Sequence, residues 1–295
     1  MLLLVDYSSL LYRAFFSMSE DVPAHAVHGF LNMLARVVAD RRPARLAVAV
    51  DEDWRPAFRV DAIPSYKTHR LADEAEEEDD VAPQDVLGRH VLGAMGIAVV
   101  GAIGFEADDV IGTLAARETG PIEILSGDRD LFALVRDPEV RVLYPARGVR
   151  DLEHIDEAAV TARYGIPGRA YGDFALLRGD PSDGLPGVRG IGEKTAAKLI
   201  AEHGSLDALL AARDLPAGIA AKLAAAADYL AAARRVVLPV RDLPLPALDL
   251  TLPAAPADPE ILAALAAEWQ LGKAVERLAR AMETARAGAG SAREP

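Results

Sequence analysis

The stretch "IAVVGAIGFEADDVIGTL", residues 97–114, contains a strand, a loop and the start of a helix, and it decides how the chain is expected to fold. Its apolar run at 97–100 is too short for a helix and is typical of a buried strand. Three acids then fall within four residues: Glu106, Asp108 and Asp109. An apolar pattern with helical spacing follows at once from Val110. One acid at a helix N-terminus is ordinary, because the helix dipole favours it. Three adjacent acids repel one another and predict a positive partner outside the sequence.

The same alternation of short apolar runs and helical patterns extends over roughly the first 165 residues. The runs predicted to be strands lie at 2–5, 45–50, 97–100, 122–125 and 140–144, and helical spacing separates them, as at 26–40. Each run is apolar on both sides, which indicates a sheet covered by helices on both faces. The predicted fold class is therefore α/β, with a mostly parallel central sheet.

The second part of the chain lacks a strand pattern between about 170 and 235. Helical patterns at 171–179 and 193–204 flank a glycine-rich turn, and another helical pattern covers 260–285. The proline-rich stretch 239–259 should run over the surface as extended chain. We therefore expect an α/β core at 1–168, a helical region at 169–285, and a disordered tail at 286–295.

Composition restricts the functional classes. The 295 residues include 51% hydrophobic and 26% charged side chains and no cysteine, which describes a soluble protein without disulfides or thiolate metal sites and fits the cytoplasm. No apolar run of about 18 residues is present, so we expect no membrane span. The net charge of −13 argues against nucleic acid as a partner. However, setting aside the seven acids of the run 73–80 and the nine acids described below leaves +3, so nucleic acid stays possible.

Acids follow four of the predicted strands, at once or after a short loop. They are Asp6, Asp51, Asp128 and Asp130, together with Glu106, Asp108 and Asp109. Because the carboxyl ends of parallel strands meet at one edge, these seven side chains should lie together. Asp180 and Asp183, just before the glycine-rich turn, could face the same cleft. Each acid alone could be a helix cap or turn residue, but seven at strand ends favour a site for hard cations such as Mg²⁺ or Mn²⁺.

The glycine-rich turn "GVRGIGEKT", residues 187–195, has some features of a phosphate-binding P-loop. That interpretation fails because Glu193 separates Gly192 from Lys194 and no strand precedes the turn. A turn between two helices could instead hold a DNA phosphate through backbone N–H groups at the start of the second helix. Arg189, Lys194 and Lys198 would add positive charge; the simpler alternative is a plain tight turn.

A basic segment, "WRPAFRVDAIPSYKTHR" at residues 54–70, begins just beyond Asp51. Its cations are Arg55, Arg59, Lys67 and Arg70, and Tyr66 stands among them. Cations suit the phosphates of a nucleic-acid strand, and an aromatic ring suits a stacked base. The alternative is a surface loop whose charges only interact with water.

Taken together, "LLVD", "AVHGF", "FEADDV", "GDRDL" and "RGDPSDGLPGVRGIGEKTA" resemble the bacterial 5′ nuclease family. This family comprises flap endonucleases and the 5′–3′ exonuclease domain of DNA polymerase I, and the resemblance covers residues 2 to about 246. It implies a PIN/resolvase-like core with an arch or clamp at about 64–90, and a helix–three-turn–helix at about 172–212. It also implies cleavage of DNA at a 5′ end, flap or nick during replication and repair, by a cytoplasmic, nucleoid-associated and monomeric enzyme.

The resemblance also implies roles for individual residues. All nine acids match metal ligands of the family: one site would use mainly Asp6, Asp51, Glu106, Asp108 and Asp109, the other Asp130, Asp180 and Asp183, with Asp128 near both. Lys67 and Arg70 match the basic pair at the base of the arch and would be catalytic. DNA contacts are expected from Arg59, Tyr66, Gly187, Arg189, Gly190, Gly192, Lys194, Thr195 and Lys198, and the turn often carries K⁺ in the family.

Two departures from the family pattern stand out. Tyr7 occupies a position that is usually glycine, so the backbone beside Asp6 is expected to differ. The arch region carries the acidic run 73–80, which makes its path for DNA an open question. Two other functional classes stay open from the sequence: a metal-dependent phosphatase for small molecules, and an inactive protein that binds DNA junctions. Replication or repair proteins are possible further partners of the nuclease.

Overall fold

A computed structural model describes residues 1–19 and 21–291, with side chains left undescribed at 72–80 and 289–291. Its centre is a six-stranded sheet of order β3-β2-β1-β4-β5-β6. The strands are β1 (Leu2–Asp6), β2 (Arg45–Ala49), β3 (Ala98–Val100), β4 (Ile122–Leu125), β5 (Val140–Tyr144) and β6 (Glu153–Ile155). The first five are parallel, as predicted, and β6 pairs antiparallel with β5. The sequence did not predict β6, because three residues with two polar side chains give too little pattern.

Helices cover both faces of the sheet. The α/β part contains α1 (Tyr7–Ser17), α2 (His25–Arg41), α3 (Ala57–Ala62), α4 (Arg70–Ala94), α5 (Ala107–Arg117) and α6 (Glu157–Tyr164). The helical part contains α7 (Tyr171–Arg178), α8 (Glu193–His203), α9 (Leu206–Ala211), α10 (Ala217–Ala225), α11 (Ala227–Val237), α12 (Pro259–Glu268) and α13 (Gly272–Ser291). Thus the predicted α/β core and the helical region that follows it are both present.

Alternation along β1 divides the interior into two cores. Leu2 and Leu4 belong to one core, and Leu3 and Val5 to the other, because successive side chains of a strand point to opposite faces. The first core continues through α5 into α7, α8 and α11, so the helical region packs directly on the sheet. The second core lies under α1, α2 and α13.

The C-terminal part differs from the sequence prediction in detail. The proline-rich stretch is extended, and its Leu250 carbonyl accepts the amide of Leu46 at 2.8 Å beside the start of β2. The predicted helix at 260–285 is two helices, since the chain breaks at Gln270, where φ is +58°. Helix α13 continues through 286–291, where disorder was expected, because its alanines favour helix. The rest of the predicted tail, 292–295, lies outside the described residues.

The predicted arch region includes helix α4, whose 25 residues contain Pro83. The acidic run at 73–80 therefore has a helical backbone, and its side chains are among those that the structure does not describe. Within the described part of the chain, no helix is both long enough and apolar enough to cross a lipid bilayer.

Candidate active site

The carboxyl ends of β1, β2 and β4 open into one cavity of about 1190 Å³. Parallel pairing places Asp6 beside Ala49, the last residue of β2, and Val5 beside Leu125, the last residue of β4. Six of the nine predicted metal ligands line this cavity: Asp6, Asp51, Glu106, Asp108, Asp128 and Asp180. Lys67 and Arg70, the predicted catalytic cations, line it as well. The topology thus brings together residues that are far apart in the sequence.

Local hydrogen bonds hold the carboxylates at the strand ends. Asp6 caps α1, since its Oδ1 accepts the amide of Ser9 at 3.2 Å, and its Oδ2 accepts the hydroxyl of Ser126 at 2.6 Å. Asp51 Oδ1 accepts the amide of Ala107 at 2.6 Å, which joins the end of β2 to the start of α5. These bonds fix the position of each carboxylate before any ligand binds.

Burial and mutual repulsion perturb four of these acids. Burial, followed by the charge of Asp51, raises the pKa of Asp6 to about 7. Burial, followed by Asp128 and Asp6, raises the pKa of Asp108 well above its usual range. Burial is also the main cause of the raised pKa of Asp128 and of Asp130. A cation in the cavity would favour the charged form of each group.

The donor set fits a hard cation, because it consists of carboxylate oxygens. Among the described residues, however, no three acidic or histidine side chains converge tightly enough to enclose an ion. Four of the nine acids instead form ion pairs with arginine or lysine: Glu106, Asp109, Asp180 and Asp183.

Glu106 is the most heavily engaged of these acids. It forms ion pairs with Arg59 and Lys67, and its Oε2 accepts the hydroxyl of Tyr66 at 2.7 Å. Arg59 is 2% exposed, and its Nη2 donates to Asp109 Oδ1 at 2.7 Å. A buried cation therefore neutralises part of the acid-rich start of α5.

This arrangement corrects three predictions. Asp109 is fully buried and does not line the cavity: its Oδ1 accepts Arg59 and the amide of Val240, and its Oδ2 accepts the amide of Glu106. Its placement contradicts a direct role in metal binding, because Asp109, unlike Glu106, does not reach the cavity. Arg59 and Tyr66 cannot contact DNA as expected, since they are only 2% and 3% exposed. The sequence shows their types, but not that α3 and the following turn direct them inward.

The helical region meets the basic segment at the cavity. The backbone amide of Lys67 donates to the carbonyl of Asp183 at 3.0 Å, and Arg70 Nη2 donates to Asp183 Oδ1 at 2.7 Å. Gly184 permits this approach, because a Cβ there would lie 2.1 Å from the Ser65 carbonyl oxygen. Asp130 and Asp183 do not line the cavity, but, in addition to burial, the charge of Asp183 raises the pKa of both Asp128 and Asp130. Acids from both parts of the chain thus share one electrostatic cluster.

The glycine-rich turn ends at the edge of the same cavity, which Gly192 and Glu193 help to line. Gly192 caps α8, whose first amides lack partners within the helix. Of the residues predicted to contact DNA in this region, the exposed ones are Arg189, Gly190, Gly192, Lys194 and Lys198, while Thr195 is half-buried; the acidic Glu193 is exposed as well. Gly187 is different: it is buried and its amide donates to the hydroxyl of Tyr229 at 3.0 Å, so it is not available to a phosphate.

Sequence reasoning missed the contacts that attach α4 to the cavity. Arg89 donates to the carbonyl of Asp51 at 2.8 Å and to Glu52 Oε1 at 2.9 Å, and it forms an ion pair with Asp85 at 2.7 Å. The Tyr7 hydroxyl donates to the Asp85 carbonyl at 3.0 Å. The unusual residue after Asp6 was the only sequence signal for this attachment.

Helix α4 accommodates Tyr7 through a glycine. A Cβ on Gly88 would lie 2.0 Å from the Tyr7 hydroxyl oxygen, and the Tyr7 ring packs edge-on against Phe30. The ends of β1 and β2, which carry Asp6 and Asp51, are therefore both fixed to the same helix. Tyr7 is thus fully buried beneath α4, next to Asp6; that its backbone differs from the family stays a prediction.

Comparison with known proteins identifies the family. Residues 1–165 match the N-terminal resolvase-like domain of 5′-3′ exonucleases, and residues 166–260 match the C-terminal SAM fold of the same enzymes. The chain belongs to the 5′-3′ exonuclease family. The resemblance seen in the sequence motifs and the predicted fold class are thereby confirmed.

Relatives and solved structures of this family agree with that assignment. A 5′-3′ exonuclease of Streptomyces coelicolor is 50% identical over 295 residues, which cover 94% of this chain and 98% of that protein. A 5′-3′ exonuclease of Mycobacterium tuberculosis is 46% identical, with 96% and 98% covered. A bacteriophage T5 flap endonuclease, solved with DNA and metal ions, shares the fold with a TM-score of 0.67 at 20% identity, covering 96% of this chain and 99% of that one.

Proposed function

We propose that this member of the 5′-3′ exonuclease family hydrolyses DNA phosphodiesters at 5′ ends, flaps and nicks. The observation that carries the proposal is the single cavity in which Asp6, Asp108 and Asp128 from the sheet edge meet Lys67 and Asp180. Carboxylates and cations are both needed there: the acids to hold divalent ions, and the cations to meet a phosphate. The names of the relatives, 5′-3′ exonuclease and flap endonuclease, support the same reaction.

Eight acids would hold two divalent ions, Mg²⁺ or Mn²⁺, in this cavity. They are Asp6, Asp51, Glu106 and Asp108 on one side, Asp130, Asp180 and Asp183 on the other, and Asp128 between them. Bound ions of this kind activate a water molecule and stabilise the leaving oxygen of a phosphodiester. Solved relatives with bound metal ions support metal dependence.

Lys67 and Arg70 would stabilise negative charge on the scissile phosphate. Lys67 is 13% exposed and Arg70 is 39% exposed, so both can approach a bound strand. Each forms an ion pair with an acid of the proposed metal site, Lys67 with Glu106 and Arg70 with Asp183. Metal binding at those acids would release both cations toward the phosphate.

The glycine-rich turn would grip duplex DNA beside the cavity, within a helix–three-turn–helix at about 172–212. Free amides at the start of α8 can hold a phosphate, and Arg189, Lys194 and Lys198 add charge around it. Gly190, Gly192 and Thr195 would contribute backbone or hydroxyl contacts, and K⁺ would bind at this turn. The segment at about 64–90 would form the arch that guides the 5′ strand. The enzyme would act as a monomer, in the cytoplasm, on DNA intermediates of replication and repair.

Labelled DNA tests this function. The purified protein is incubated with a 5′-flap junction, a nicked duplex and a blunt duplex, each with Mg²⁺, Mn²⁺, Ca²⁺ or excess EDTA. We expect products from the 5′ side with Mg²⁺ or Mn²⁺, binding without turnover with Ca²⁺, and no cleavage in EDTA.

A small phosphomonoester incubated in parallel separates the alternatives. Hydrolysis of that ester without DNA cleavage would identify a phosphatase, and junction binding without cleavage in any metal would identify an inactive binder. Full DNA cleavage in EDTA would contradict the metal-dependent mechanism.

A further inference from the structure

A second cleft, of about 540 Å³, lies between α2, α13 and the loop that joins β5 to β6. Four arginines line it: Arg36 from α2, Arg150 from the loop, and Arg277 and Arg280 from α13. Between them the lining includes the small or apolar side chains Ala35, Ala39, Ala281, Met33 and Val149. We refer to this feature as the arginine cleft. It shares no lining residue with the cavity of the candidate active site.

The charge of the arginine cleft is opposite to that of the whole protein. Among the residues that the structure describes, no acid belongs to its lining, whereas the chain as a whole has a net charge of −13. Two carboxylates form ion pairs with lining arginines: Asp40 with Arg36 at 2.7 Å, and Glu276 with Arg280 at 3.5 Å. When these two acids are subtracted, the four arginines leave a charge of +2. Such a concentration of positive charge in an acidic protein indicates an anionic ligand.

One of the four arginines, Arg277, is held in place from within the protein. Arg277 donates to Asn32 Oδ1, and the amide nitrogen of Asn32 donates to the carbonyl of His28 at 2.8 Å, so α13 is tied to α2 across the cleft. Burial, with a further contribution from Arg277, lowers the pKa of His28, which is consistent with a positive local field. Arg150 forms no ion pair with a carboxylate among the described residues. Arg150 and Arg277 are thus the two cations of the cleft with no carboxylate partner in the described structure.

The arginine cleft lies within reach of DNA bound at the active site. Tyr144, the last residue of β5, lines the active-site cavity, and Arg150 lies six positions further along the chain. Six residues span at most about 21 Å. That distance corresponds to about six base steps of duplex DNA. The cavity and the cleft are therefore close enough, along this loop, for one DNA arm several base pairs long to span both.

We propose that the arginine cleft binds the phosphate backbone of a DNA arm that extends from the active site. Guanidinium groups match phosphate oxygens through paired N–H donors, and all four cations are arginine rather than lysine. The Asn32 amide is already engaged by Arg277 and His28, and the cleft attracts a ligand through its charge, so we expect binding through phosphates and independent of sequence. The small side chains between the arginines let a backbone approach closely. This inference rests on the proposed nuclease function and adds a second contact region to it.

Salt dependence of DNA binding tests the proposal. Binding is measured with Ca²⁺ on flap junctions whose two arms are shortened in turn from about 20 to about 5 base pairs. The test protein is Arg150→Gln/Arg277→Gln. The control is Arg147→Gln/Arg286→Gln, which removes the same charge from the same loop and helix at residues that do not line the cleft. The salt slope is the change in the logarithm of the binding constant with the logarithm of the salt concentration, and each lost phosphate contact reduces its magnitude by about 0.9. The test variant, which lacks two arginines, should therefore have a slope smaller by about 2 on junctions that keep the arm bound at the cleft.

Four results are distinguishable. The proposal is supported if the test variant loses about tenfold in affinity only for junctions in which one particular arm is long. Cleavage of the junction in which that arm is short should then be unchanged. Equal losses for the test and control variants would show only bulk charge, and unchanged slopes for both would show that DNA does not reach the cleft; either result overturns the proposal. If the unmodified protein cleaves no junction in Mg²⁺ or Mn²⁺, the proposed function itself fails, independently of the cleft.

Discussion

The acids around the candidate active site form two groups that differ in how their charge is balanced. Asp6, Asp108, Asp128 and Asp130 form no ion pair with any described residue, and burial with mutual repulsion raises the pKa of each. We call them the unpaired acids. The paired acids, Glu106, Asp109, Asp180 and Asp183, have arginine or lysine partners. Among the described residues, ion-pair partners therefore belong to one group only, and the other group depends most on cations from outside.

The largest expected effect follows from changing an unpaired acid. Asp128 lies between other carboxylates, so Asp128→Asn should relieve repulsion while removing a proposed metal ligand. Cleavage of flap DNA under single-turnover conditions should fall by about 10³-fold or more. The unfolding midpoint in EDTA should rise or stay constant. Near-normal cleavage, or a marked loss of stability, would place Asp128 among residues with a structural role.

Removal of Arg59, the cation that two of the paired acids share, should instead reduce stability. Arg59→Leu leaves Asp109 buried without a cation and Glu106 with Lys67 alone, and breaking a buried pair in this way typically costs about 3–5 kcal/mol of unfolding free energy. Urea unfolding measures this loss, and Arg59→Leu/Asp109→Asn should recover part of it. A loss below about 1 kcal/mol in Arg59→Leu would remove the distinction between the two groups.

Lys67 tests whether a paired cation also takes part in the chemistry. Lys67→Ala should slow single-turnover cleavage by roughly 10²-fold, because a cation beside the transition state contributes a few kcal/mol. DNA affinity in Ca²⁺ should change much less, since a single phosphate contact contributes little. Arg189→Ala, at the glycine-rich turn, is the control and should reduce affinity more than rate. Equal losses of rate and affinity in Lys67→Ala would show that Lys67 only holds the DNA backbone.

The smallest effect is expected at Tyr7, which is next to an unpaired acid but carries no charge itself. Tyr7→Phe removes one partly buried hydrogen bond to Asp85, so stability should fall by about 0.5–1.5 kcal/mol. Metal affinity should be unchanged, as measured by calorimetric titration. A large loss of metal affinity would mean that packing under α4, and not only charge balance, controls the acid at the end of β1.

The sequence predicted the sheet edge well because strand patterns and acids are both local signals. The positions of Asp6, Asp51 and Asp128 follow from the parallel topology, which the alternating runs already indicate. The burial of Arg59 could not be predicted, because a six-residue helix gives too little periodicity to identify its buried face. As a result, a buried ion pair with Asp109 was interpreted as a DNA contact and a metal ligand.

Contacts between residues far apart in the chain were the other feature that could not be predicted from the sequence. Tyr7 was recognised as unusual, but its fit against Gly88 depends on two residues about 80 positions apart. The arginine cleft likewise combines Arg36, Arg150 and Arg277 from three elements that no local pattern connects. Surface clefts of this kind depend on how α2 and α13 pack side by side, which the tertiary structure alone defines.

Calorimetric titration with Mn²⁺ tests most directly whether the unpaired acids depend on external cations. The unmodified protein is compared with Asp128→Asn and with Asp207→Asn, in which the changed acid is exposed and remote from the cavity residues. We predict that the unmodified protein and Asp207→Asn bind two ions with the same affinity, and that Asp128→Asn loses at least one of them. Equal stoichiometry and affinity in all three proteins would contradict the account.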